Sequence, residues 1–105
     1  DLRRVDITVN VAYGSDADVV KKALLSMVKA IPYFLDSTTD GAADPFCALT
    51  DLGESTVNFV VRAWVNGADY WPARFQLQET IYKELPAKYG IGFPFPQVDI
   101  HLKQS

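Results

Sequence analysis

Asp99 and His101 stand two residues apart near the end of the chain, and His101 is its single histidine. Alternate residues of an extended segment share a face, so the carboxylate and the imidazole form a weak metal pair. Zinc sites take three or four protein ligands, so two alone make a poor site and no metal is expected. Cys47 is the one cysteine, which excludes a disulfide within the chain and a thiolate cluster. It lies in a short apolar run, where thiols are inert as a rule. The loop YGSDAD, residues 13–18, joins a strand pattern to a helix pattern, a place where backbone amides and an arginine can hold a phosphate. Here it carries two aspartates and no arginine. At close range in a partly buried site each carboxylate repels a phosphate by about 1 kcal/mol or more. The residues supply no catalytic group and call for no cofactor.

The elements that would position any such group set the class of protein. The 105 residues are 49% hydrophobic and 22% charged, as in one folded domain. A net charge of −3 and a pI near 4.9 offer no basic field to draw in nucleic acid or an anionic membrane. The apolar runs are too short to span a bilayer. The first residue is Asp1 rather than methionine, so the chain reads as a piece of a longer protein.

Val5, Ile7, Val9 and Val11 alternate with Asp6, Thr8 and Asn10, a strand with one buried face. Ser15 is expected to cap the following helix, with Asp18 three residues on. Val20, Ala23, Leu24, Met27, Val28 and Ile31 recur at helical spacing as far as Pro32. Residues 36–45, DSTTDGAADP, have the composition of a surface loop. A short strand at residues 46–49 then meets a turn, DLGES, before the clearest strand, residues 56–65. Asp69 is expected to cap a second helix with Pro72 in its first turn. Leu77, Ile81 and Leu85 form one stripe of that helix; Trp71, Phe75, Tyr82 and Tyr89 form an adjacent aromatic one. The aromatic stripe is read first as core, with packing against a neighbouring subunit as the alternative. Pro86 is expected to kink or stop the helix and Gly90 to cap it.

This order predicts an α+β fold, a ferredoxin-like β-α-β-β-α-β two-layer sandwich with a C-terminal extended strand. The first and third strands are central in that topology and the second and fourth are edges. Residues 1–96 form the domain and residues 97–105 the extended segment. Pro94 and Pro96 remove donors from one flank of the fourth strand, leaving Phe93, Phe95 and Gln97 to pair on the other, as suits an edge. Past them, Val98, Ile100 and Leu102 give an apolar face that either lengthens the fourth strand or pairs with another chain.

VDITVNVAYGSD, STVNFVVRAWV and GIGFPFPQVDIHL together resemble the carboxy-terminal α/β domain of small-conductance mechanosensitive channels, the MscS type, from about Val5 to Lys103. The resemblance implies a cytoplasmic domain of a bacterial inner-membrane channel, reached by the membrane only through segments upstream. It implies a heptamer of like subunits that encloses a vestibule, with side portals for ions and small solutes. It also implies that Pro96, Gln97, Val98, Ile100 and Leu102 lie at an inter-subunit interface, the apolar three in a small parallel barrel. Two departures stand out: the loop at residues 36–45 is longer than is usual in the family, and Pro86 replaces a helix-friendly position. Acylphosphatases share the expected topology, but the arginine of their phosphate loop is missing here. A regulatory small-molecule or oligomerisation module of the same architecture is the other reading, and a metabolite that raises the melting temperature would favour it.

Overall fold

The computed structural model describes residues 1–94 of the protein. They form strand β1 (Leu2–Ala12), helix α1 (Ala17–Ala30), strands β2 (Phe46–Leu52) and β3 (Thr56–Asn66), and helix α2 (Tyr70–Tyr89). The sheet is antiparallel with strand order β1-β3-β2. β1 and β3 pair without interruption from Leu2↔Asn66 to Ala12↔Thr56. Val5, Ile7, Val9 and Val11 therefore meet Ala63, Val61, Phe59 and Val57 on one face.

Both helices cover that face. Val20, Leu24, Met27 and Val28 of α1 and Ala73, Leu77, Ile81 and Leu85 of α2 join the strand residues in one apolar cluster. Fully burying a side chain of this kind stabilises the fold by about 1.5–3 kcal/mol. Among the described residues no polar or charged residue is buried. Among the described residues no helix lies over the sheet's other face, which carries Arg4, Asp6, Thr8 and Asn10 opposite Trp64, Arg62, Val60 and Asn58.

Several boundaries differ from expectation. Asp16, not Ser15, caps α1: its carboxylate accepts from the N–H groups of Asp18 and Val19, while the Ser15 hydroxyl turns back to the Ala12 carbonyl. An aspartate at that position satisfies two first-turn donors and adds charge suited to the helix dipole. β2 continues through the expected turn as far as Leu52, because a bulge between Leu49 and Asp51 lets the ladder resume. There the Thr50 hydroxyl donates to the Asn58 carbonyl at 3.2 Å. Asp69 makes no side-chain cap; a 3-10 turn, Gly67–Asp69, leads into α2 instead. Pro86 does not stop α2, which runs on to Tyr89. Pro86 is exposed, and Gly90, at φ +69°, closes the helix with its N–H on the Pro86 carbonyl.

The fourth strand, expected from residue 91 to 95, does not form over residues 91–94. One backbone bond joins them to β1, from the Ala12 N–H to the Gly92 carbonyl at 3.0 Å. Antiparallel continuation would set Pro94 opposite Asn10, where it has no N–H for the Asn10 carbonyl. The bond also reverses the expected role of the proline. Alternate residues of an extended chain share a flank, so Pro94 turns its donorless nitrogen toward β1 with the Gly92 carbonyl. The interface residues Pro96, Gln97, Val98, Ile100 and Leu102, and the Asp99–His101 pair, lie outside the described residues.

Candidate functional site

β1 has β3 on one side, and among the described residues no strand pairs with its other flank. The Asp6 carbonyl accepts from Arg74 Nη1 at 2.9 Å and the Ala12 N–H points to Gly92. With the register to β3 unbroken, the intervening even-numbered residues Thr8 and Asn10 turn their N–H and C=O groups to the same flank. A groove of about 760 Å³ runs along it, between β1 residues 6–10 and Arg74, Gln78, Ile81 and Tyr82, with Phe93 and Pro94 at one end. Arg74 was not legible as a site residue. Its guanidinium supplies the donor that a missing strand would give Asp6, and the nearby Tyr70 ring lies 3.7 Å beneath the Arg3 guanidinium.

Most of the aromatic stripe of α2 is exposed, which corrects the expectation that it is core. Trp71, Phe75 and Tyr82 are 55%, 60% and 73% exposed, and only Tyr89 packs partly against the core. The buried stripe of α2 is Ala73, Leu77, Ile81 and Leu85. At 3.6 residues per turn the three exposed rings fall to one side of it, and of the three Tyr82 lines the groove beside β1. Three exposed aromatic rings on one helix are an unusual apolar patch for a lone domain.

The outer sheet face holds a charged cluster. Arg4 donates twice to the Asp6 carboxylate, at 2.8 and 3.0 Å. Arg62 Nε lies 3.6 Å from the same carboxylate and has no hydrogen-bond partner. Exposed pairs of this kind contribute about 0–1 kcal/mol. Arg62 and Trp64 thus cover the sheet, with the Phe46 ring 5.9 Å from the Arg62 guanidinium.

The other candidates dissolve into local structure. At residues 13–18 the first-turn amides of α1 are already held by the Asp16 carboxylate, the place a phosphate would need. In the loop at residues 36–45, Thr38 holds the Asp36 carboxyl below its usual range, and the Ser37 N–H does the same for Asp44. Among the described residues no group of three or more His, Cys, Asp or Glu side chains is placed to hold a metal ion. None of their helices is long and apolar enough to cross a membrane.

Burial pushes the Cys47 thiol from 9.0 up to about 11, against a small opposing pull from Lys21. At pH 8 about one thiol in a thousand is then ionised rather than about one in ten, so alkylation should run about a hundredfold slower than for an exposed cysteine. A rate matching that of a free thiol would show Cys47 to be accessible. The raised value has a sign for stability: burial of the neutral thiol helps fully below pH 9.0, and that help fades as pH climbs towards 11.

Residues 5–93 match the family model described as "Mechanosensitive ion channel MscS, C-terminal". The small-conductance mechanosensitive channel of Edwardsiella ictaluri is 46% identical over 103 residues, covering 98% of this chain and 34% of that protein. The Helicobacter pylori protein of the same name is 31% identical over 104 residues, covering 98% and 36%. The crystal structure of Helicobacter pylori MscS in its closed state superposes with a TM-score of 0.78 at 29% identity, over 93% of this chain and 37% of that one. The chain thus spans about a third of the length of the curated relatives it matches. With its antiparallel sheet, its two helices and nearly its whole length accounted for by the match, the chain belongs to the MscS family of mechanosensitive ion channels and corresponds to their C-terminal domain.

Proposed function

We propose that this domain is part of the cytoplasmic cage of a mechanosensitive channel in the bacterial inner membrane, where it holds like subunits together around a vestibule and helps frame its portals. Ions and small solutes pass through those portals, and seven copies complete the cage. The domain's own fold is ferredoxin-like once a fourth strand lies on β1. Past it, Val98, Ile100 and Leu102 pair with neighbouring copies as a barrel strand, with Pro96 and Gln97 at its start. The observation that supports the reading is the exposure of Trp71, Phe75 and Tyr82 on one side of α2, an apolar patch that nothing among the described residues covers. A domain made for assembly has reason to keep such a surface; a self-contained enzyme does not.

Changing Val98 and Ile100 together to aspartate tests it. The melting temperature of the isolated domain should shift by no more than about 2 °C, as for substitutions away from the core. The full-length channel should lose assembled oligomer on native mass measurement, because two charges per subunit cannot be buried in a barrel without partners. Intact oligomer with a destabilised domain would place these side chains in the protomer's own core and overturn the reading.

A further inference from the structure

The sheet face away from the helices carries a smaller cavity, of about 240 Å³, between the start of β2 and the middle strand. Strand register sets its lining. Asp6, Arg62 and Phe46 form one row across the three strands, and Arg4 and Trp64 stand in the next row on the same face. Two residues before Phe46, β2 has not yet begun, and the loop end at Ala43 and Asp44 closes the cavity beside Arg4, Arg62, Trp64 and Phe46. Two charges of this face are already matched: Arg4 gives two hydrogen bonds to the Asp6 carboxylate, at 2.8 and 3.0 Å. Arg62 is left over. Its Nε is closed off from solvent, 3.6 Å from Asp6, and makes no hydrogen bond among the described residues.

A guanidinium presents its N–H donors in a planar fork that suits a carboxylate. Asp44 brings the opposite charge: it accepts from the Ser37 N–H at 2.9 Å, which favours its ionised form. Among the described residues no ion pair joins it to Arg62. One cation and one anion therefore line the same cavity without pairing, beside the rings of Phe46 and Trp64. We propose that this cavity is a binding site for a small zwitterion, an α-amino acid with an apolar side chain. Its carboxylate sits on the Arg62 guanidinium, its ammonium on Asp44, and its hydrocarbon part on Phe46 and Trp64. A plain anion would meet Asp44 and a plain cation Arg62, so only a ligand with both charges uses the whole lining. The volume lies below the roughly 300–1,000 Å³ of drug-sized sites, which suits a single amino acid. The Arg62 side chain is 42% exposed, so its contacts are weak and the dissociation constant is about 1 mM. The site is separate from the groove beside β1 and does not depend on the assembly reading above.

Saturation-transfer NMR on the full-length channel tests the site, with L-leucine as the probe. L-leucine should give a saturable signal, while leucinamide and 4-methylpentanoate, each lacking one of the two charges, should bind about fivefold more weakly or worse. Arg62→Gln should weaken leucine binding by about fivefold or more, and Arg62→Lys, which keeps the charge but not the fork, should retain part of it. Asp44→Asn should weaken leucine but not 4-methylpentanoate, which has no ammonium to lose. Lys83→Gln, on an exposed side of α2, should change none of these, and an unchanged melting temperature shows that each variant remains folded. Absence of a saturable leucine signal in the wild type, equal binding of the three probes, or leucine binding unchanged by Arg62→Gln overturns the proposal. If the wild type binds no leucine and Arg62→Gln dissolves the oligomer on native mass measurement, an acidic side chain of a neighbouring copy holds Arg62. That outcome overturns the site and leaves the assembly reading standing.

Discussion

Phe59→Ala should bring the isolated domain close to unfolding, with about 3–5 kcal/mol lost from a total that for domains is about 5–15 kcal/mol. Phe59 is 1% exposed and is the largest of the fully buried side chains. It sits on β3, the middle strand, between Val9 of β1 and Leu49 of β2. The removed ring leaves a void that strands on both sides and helices above cannot all move to fill, so the cavity cost adds to the lost transfer energy. Urea denaturation should show a lower midpoint with an unchanged slope. A loss below about 1 kcal/mol would mean that the sheet collapses around the site and that this core is loosely packed.

Leu77→Ala and Phe75→Ala should separate sharply although the residues are two apart on one helix. Leu77 is 1% exposed and Phe75 60% exposed. Truncating the leucine should cost about 2–5 kcal/mol, while truncating the larger but exposed phenylalanine should stay within about 0.5 kcal/mol. The comparison inverts the order that residue size alone would suggest, and so reads the orientation of α2 directly. If the two variants melted alike, α2 would be rotated about its axis relative to the arrangement described.

Both outcomes bear on how far the residues alone reveal this domain. The strict alternation of Val5, Ile7, Val9 and Val11, and of Phe59, Val61, Ala63 and Val65, was enough to set β1 and β3 and the side each buries. A strand with one wet face has a single register that keeps its apolar side dry. The amphipathic pattern of α1 was equally decisive, since Val20, Leu24 and Val28 leave no other stripe to bury. The family likeness rested on local words such as STVNFVVRAWV, which need no third dimension to be recognised. Short-range competition was harder to foresee. Ser15 and Asp16 are both good caps, and the choice turned on which side chain reached two amides at once.

Composition could not decide the fate of the aromatic stripe on α2. Trp71, Phe75 and Tyr82 are apolar and helically spaced, which is the pattern of a core face. Whether they are covered is a matter of how elements distant in the chain are laid together. The same holds for Arg74, whose role is a bond to a backbone carbonyl 68 positions away, and for Pro94, whose nitrogen is turned toward β1 by one bond at Gly92. Patterns along a chain report which side of an element prefers to be dry. Only the packed arrangement reports which of those sides has found a partner, because burial is a property of pairs of surfaces and not of either one.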